Sequence, residues 1–157
     1  YSKGCRLMRN LANTVVLEIP ANLEYVHILG RCACALLSEM DELCEADSTL
    51  YNLELAIQEI GVNIITHAYA CISGRVTMYA ALDNDLPEIH ITLEDTGQTF
   101  EPQIVPTPKL GTLQEHGYGL FLAHEILDDV RYEVDVDKNR WHLKKNLHFQ
   151  KRLEEVA

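Results

Sequence analysis

Glu59, Asn63 and His67 stand four residues apart in a stretch whose apolar residues recur at spacings of three and four. A carboxylate, an amide and an imidazole therefore share one ridge of a helix. In such a stripe the carboxylate can take a proton, the amide oxygen can hold a hard cation, and the imidazole can donate or accept. A solvated polar face would present the same triplet. Ile60, Val62, Ile64 and Ile65 crowd this stretch, however, so the helix reads as apolar nearly all round. Its polar ridge is then expected to face a cavity or ligand rather than open water.

Three further features follow along the chain. Asp95 is in phase with Ile89, Ile91 and Leu93 and so points to the apolar side of a strand at its end, where a carboxylate needs a donor. Thr96 and Gly97 come next, and Gly97 lets a flat ligand approach the backbone or the chain take a positive φ; an Asp that merely caps the loop would look the same. The interval Gln98 to His116 holds Pro102, Pro106 and Pro108 and is long for a connection in a compact domain, which reads as a lid. Gly117-Tyr118-Gly119-Leu120 then opens a short helix, and glycines at a helix N-terminus leave amides free to cradle phosphate.

The elements that position these residues can be read from periodicity. Val15, Leu17 and Ile19 alternate with polar or opposite-facing neighbours up to Pro20, as in a strand. A helix capped by Asn22 is expected to carry Leu23, Val26, Leu29 and Ala33 up to about Met40, and a second to run from Asp47 or Ser48 to about Ala70. Val76 to Leu82 and Glu88 to Glu94 repeat at two, a helix covers about Gly119 to Leu127, and Val130 to Val136 pairs through an Asp137-Lys138-Asn139 turn with a strand carrying Trp141 and Leu143. The order βααββαββ, with one apolar side per strand, predicts an α+β two-layer sandwich: a mixed, mainly antiparallel sheet with helices on one face. One domain of residues 1–157, with its core over about 14–147, is expected.

Taken in order, the polar ridge, the strand-DxG, the lid and the GxGL resemble the GHKL or Bergerat-fold ATPases, and within them the anti-sigma-factor serine kinases of partner-switching systems. Glu59 to Tyr69 looks like their N box, Asp95 to Phe100 like their first glycine box and Gly117 to Leu122 like their second. The resemblance implies that ATP and Mg²⁺ are bound: Asn63 as the Mg²⁺ ligand, Asp95 at the adenine amino group, Gly97 and Thr99 lining the base pocket, and Gly117, Tyr118, Gly119 and Leu120 offering amides to phosphate. His67 is implied as a neighbour of the nucleotide and Glu59 as the base that activates a serine hydroxyl. Two departures stand out. Thr99 replaces a further glycine, and Asn139-Arg140-Trp141-His142 stands where the superfamily has a late-strand threonine. The lid offers Lys109 and His116 as its cations and no arginine.

Composition narrows the partners. Thirteen Lys plus Arg against 24 Asp plus Glu leave a net charge of −11, which argues against gripping a nucleic-acid backbone and suits a basic protein partner. Five cysteines without CxxC spacing read as those of a cytoplasmic protein, and no apolar run reaches the ~20 residues of a membrane span. The resemblance implies a homodimer that restrains a sigma factor and phosphorylates a small antagonist of the anti-anti-sigma type. Two other readings stay open at this point: a nucleotide-gated binding module without chemistry, and a detached ATPase domain of sensor-kinase type.

Overall fold

A computed structural model describes residues 13–40, 43, 46–83, 85–102 and 118–149. Thr14–Pro20 (β1), Arg75–Leu82 (β2), Glu88–Asp95 (β3), Asp129–Val134 (β4) and Asn139–Asn146 (β5) form one sheet in the order β1-β2-β3-β5-β4. Every pairing is antiparallel, so the mixed character expected from the sequence is absent among these strands. The reason is the last hairpin: β4 takes the edge and the reversal at 135–138 returns β5 between β4 and β3, antiparallel to both.

Alternation puts Val76, Met78, Ala80, Ile89, Ile91, Leu93, Trp141 and Leu143 on one buried face. Val26–Ser38 (α1), Ala46–Asn63 (α2) and Tyr118–Ile126 (α3) cover it with Leu29, Ala33, Leu37, Leu53, Ile57, Ile60, Leu120 and Ala123, giving the two-layer α+β sandwich. The opposite face is polar. There Glu94 accepts from Lys138 Nζ at 2.9 Å and Arg140 Nε at 3.0 Å, while Asn139 and Trp141, in the other phase of the same strand, point inward. Among the described residues no helix is long and apolar enough to cross a membrane.

Three boundaries depart from the sequence reading. Asn22 does not cap α1: its Oδ1 accepts the Glu24 amide at 3.0 Å in a preceding turn, α1 starts at Val26, and Leu23 is exposed. The second helix is α-helical only to Asn63; Ile64–Tyr69 forms a π turn that ends on left-handed Ala70 (φ 45°) and Cys71 (φ 74°). The last turn comes earlier than predicted. Asp135 N bonds Lys138 O at 2.9 Å, Val136 is 94% exposed, and Asn139 is already the first residue of β5. The Cys34 thiol donates to the Leu50 carbonyl at 3.2 Å, its pKa pushed up to about 11 chiefly by burial.

Candidate functional site

The end of β3 buries a carboxylate. Asp95 is 1% exposed because it continues the inward phase of Ile91 and Leu93. Its Oδ1 accepts the Gly97 amide and Asn139 Nδ2, both at 2.9 Å, whereas its Oδ2 is buried without a hydrogen-bond partner. Burial raises the carboxyl above its ordinary range; the bonds from Asn139 and Gly97 oppose this, and the charge of Glu94 adds to it. An unsatisfied buried acceptor in a folded protein calls for a ligand or water that donates to it. Thr99 lies in the same network, its hydroxyl donating to Asn139 Oδ1 at 2.9 Å.

The loop after β3 is pressed against the π turn. Gln98 N donates to the Ala68 carbonyl at 2.7 Å, and a Cβ on Gly97 would lie 2.6 Å from that carbonyl oxygen and 2.7 Å from its carbon. Backbone cannot yield as a side-chain tip can. Gly97→Ala is therefore expected to lower unfolding free energy by about 1–3 kcal/mol, read from the midpoint of a denaturant titration. A cleft of about 270 Å³ opens beside this loop, with Ile72, Ser73, Thr96 and Gly97 among its walls. It includes none of Glu59, Asn63, Asp95 or Asn139, so it neighbours the Asp95 network without containing the unpaired oxygen.

The polar ridge of α2 runs from α3 to that loop. The Glu59 carboxylate sits against Gly119 so closely that a Cβ there would fall on its Oε2. Residues 60 positions apart are thus joined at the first turn of α3, whose leading amides have no partner within the helix. One turn along α2, Asn63 Nδ2 donates to the Glu59 carbonyl at 2.8 Å, a bond that uses the amide's nitrogen and not its oxygen. Among the described residues no group of three or more His, Cys, Asp or Glu could hold a metal. A site of this kind fits Mg²⁺, which keeps waters and arrives with phosphate, and does not fit a metal caged by protein.

His67 is exposed and packs at a tilt against Phe100, with ring centroids 5.4 Å apart. Phe100 in turn meets Tyr132 at 5.6 Å and Trp141 at 6.2 Å, so the loop that begins at Asp95 is anchored on aromatics of β4 and β5. Tyr118 is half exposed and Leu120 is buried in the core. Gly117, Lys109, His116 and most of the lid interval lie outside the described residues.

The structure thus brings Glu59, Asn63 and Gly119 together at one end, and Asp95, Gly97 and Thr99 at the other. Asn139 is the residue the sequence reading misplaced. The Asp137-Lys138-Asn139 run predicts a turn there, yet Asn139 is 2% exposed and holds the Asp95 network. Its two-residue phase with Trp141 and Leu143 was the available signal.

Comparison with known proteins agrees with the two-layer fold. The chain is 26% identical over 137 residues to the serine-protein kinase RsbW of Bacillus licheniformis, covering 82% of each, and 29% identical over 130 residues to that of Bacillus cereus, covering 77% of this chain and 78% of the relative. The RsbW of Bacillus subtilis is 26% identical over 133 residues, with 80% and 81% covered. A solved structure of the RsbU and RsbW domains of Rv1364c from Mycobacterium tuberculosis superposes with a TM-score of 0.61 at 19% identity over 85% of this chain, which spans 32% of that longer one; the likeness is one of fold. The family of histidine kinase-like ATPase domains matches residues 19–145. The chain belongs to the histidine kinase-like ATPase domain family.

Proposed function

We propose that this chain is an Mg-ATP-dependent protein-serine kinase that also serves as an anti-sigma regulatory factor, phosphorylating a small antagonist protein to switch partners. The observation that carries the reading is the seating of the Glu59 carboxylate on Gly119, one turn from Asn63. Bound Mg-ATP supplies the γ-phosphoryl group, which passes to a serine oxygen as the bond to the departing diphosphate breaks. Glu59, seated against Gly119, takes the serine proton on its carboxylate, and the phosphate cradle is assigned to Gly117, Tyr118, Gly119 and Leu120. Asn63 Oδ1 would hold the metal, Asp95 Oδ2 accepts a hydrogen from the adenine amino group, and Gly97 and Thr99 border the base. His67 borders the site through Phe100. The names of the Bacillus relatives support the kinase reading, and the net charge of −11 suits a basic surface on the sigma factor. A cytoplasmic homodimer built on one domain completes the proposal.

The test is transfer of γ-labelled phosphate from ATP to a copurifying protein. Acid-stable label on serine is the expected result. Nucleotide-dependent capture of the partner without label would make the chain a binding module, and acid-labile label would make it a domain of sensor-kinase type.

Nucleotide binding also has a built-in reporter. Trp141 is the chain's one tryptophan, packed on Tyr132 at 4.7 Å and two residues along β5 from Asn139. Its emission is expected to change saturably as Mg-ATP is added; a flat titration, with binding seen by calorimetry, would place the base elsewhere.

A further inference from the structure

Asn139 makes more hydrogen bonds than a residue just past a turn requires. It opens β5 directly opposite Asp95 in the ladder. One Nδ2 hydrogen goes to Asp95 Oδ1 at 2.9 Å, the other to the Gly97 carbonyl at 3.2 Å, and its Oδ1 receives the Thr99 hydroxyl at 2.9 Å. The first two partners only accept, so the amide can face one way only. Its three partners, at 95, 97 and 99, are the strand end and the loop that follows it. A hydroxyl has one hydrogen and could not serve two acceptors, and a carboxylate would set a like charge against Asp95. An amide satisfies all three.

The effect on Asp95 is directional. Both donors it receives, from Gly97 and Asn139, fall on Oδ1, which fixes the carboxyl rotation and leaves Oδ2 as the buried acceptor without a partner. A group that fills this place must bring a hydrogen. Purines with a 6-amino group do so, and those with a 6-oxo group present an acceptor instead.

We propose that Asn139 is a positioning residue for nucleobase choice: by tying Asp95 through Oδ1 to Gly97 and Thr99, it holds Oδ2 where it accepts from a 6-amino purine and rejects a 6-oxo purine. This rests on the nucleotide reading above. Asn139 acts through Asp95 and touches no reacting atom.

The experiment measures binding of ATP and inosine triphosphate to the full chain by calorimetry, for wild type, Asn139→Val and Thr99→Val. Wild type is expected to prefer ATP. Asn139→Val, β-branched and at home in a strand, is expected to lower the ATP-to-inosine preference about tenfold, chiefly by weakening ATP. A residue needed only for folding would lower both affinities together and leave the ratio within twofold, which would overturn the proposal. If Asn139→Val does not fold, Thr99→Val decides. It removes the hydroxyl that anchors the amide at the edge of the base site and is expected to lower the ratio roughly threefold, while Thr99→Ser, which keeps that hydroxyl, leaves it unchanged; an unchanged ratio in Thr99→Val, or an equal fall in Thr99→Ser, overturns the proposal. A wild-type protein that binds ATP and inosine triphosphate equally would also overturn the proposal, whereas one that binds neither would sink the nucleotide reading itself, a failure seen before any variant is made.

Discussion

Glu59→Gln is expected to bind Mg-ATP with wild-type affinity, within two- to threefold, while phosphoryl transfer to the partner protein falls by about 10²- to 10⁴-fold. The substitution is well isolated. Gln has the shape of Glu, so the packing of its side-chain end on Gly119 is kept, and the bond from Asn63 goes to the backbone carbonyl of residue 59, which the change leaves alone. What disappears is the basic oxygen. A serine hydroxyl must shed its proton as the phosphoryl group arrives, and an amide cannot take it. Single-turnover transfer, measured beside equilibrium nucleotide binding, separates the two effects. Transfer at the wild-type rate would remove Glu59 from the role of base. Loss of binding and transfer together would make it a structural support of the first turn of α3.

The parts of this site that were legible beforehand are those governed by a simple period. Asp95 could be placed inward because a strand alternates strictly, and Ile89, Ile91 and Leu93 set the phase. Glu59 and Asn63 could be put on one ridge because α2 remains a regular helix as far as Asn63. Four-residue spacing stops being a guide at Ile64. The π turn changes the angle per residue, so His67 ends on Phe100, a contact that depends on a change of helix type invisible to hydrophobic spacing. Asn139 was hidden for another reason. Asp137-Lys138-Asn139 looks like a reversal because Asp and Asn favour turns, while the hydrogen bonds that draw Asn139 into β5 come from residues 40 and more positions away. Local chemistry pointed one way and tertiary partners decided the other. Likewise Asn22 has the side chain of a helix cap but spends it on Glu24, two residues on.

Asp95→Asn is expected to leave a protein that is more stable than wild type at neutral pH and has lost roughly 10²- to 10³-fold in ATP affinity. Asn can keep Oδ1 toward Gly97 N and Asn139 Nδ2, so the loop stays tied. In place of the unpaired Oδ2 stands an NH₂ group, whose burial costs less than that of a charge. The sign of the pH effect follows from the raised carboxyl of Asp95, whose main cause is burial. A carboxyl with a folded pKa above its unfolded one favours folding most when protonated. That contribution is full below the ordinary carboxylate range and is lost as pH rises through the raised folded value. The stability advantage of Asp95→Asn should thus be largest above that value and shrink on acidification, as thermal unfolding across pH would report. An advantage that grew toward acid pH would contradict burial of an ionised carboxylate. Binding reverses for the same reason. The adenine amino group now meets a donor, whereas inosine triphosphate offers its 6-oxo group to it, so the preference of the variant should swing from ATP toward inosine triphosphate. Wild-type ATP affinity in Asp95→Asn would mean that the buried oxygen waits for something other than a base.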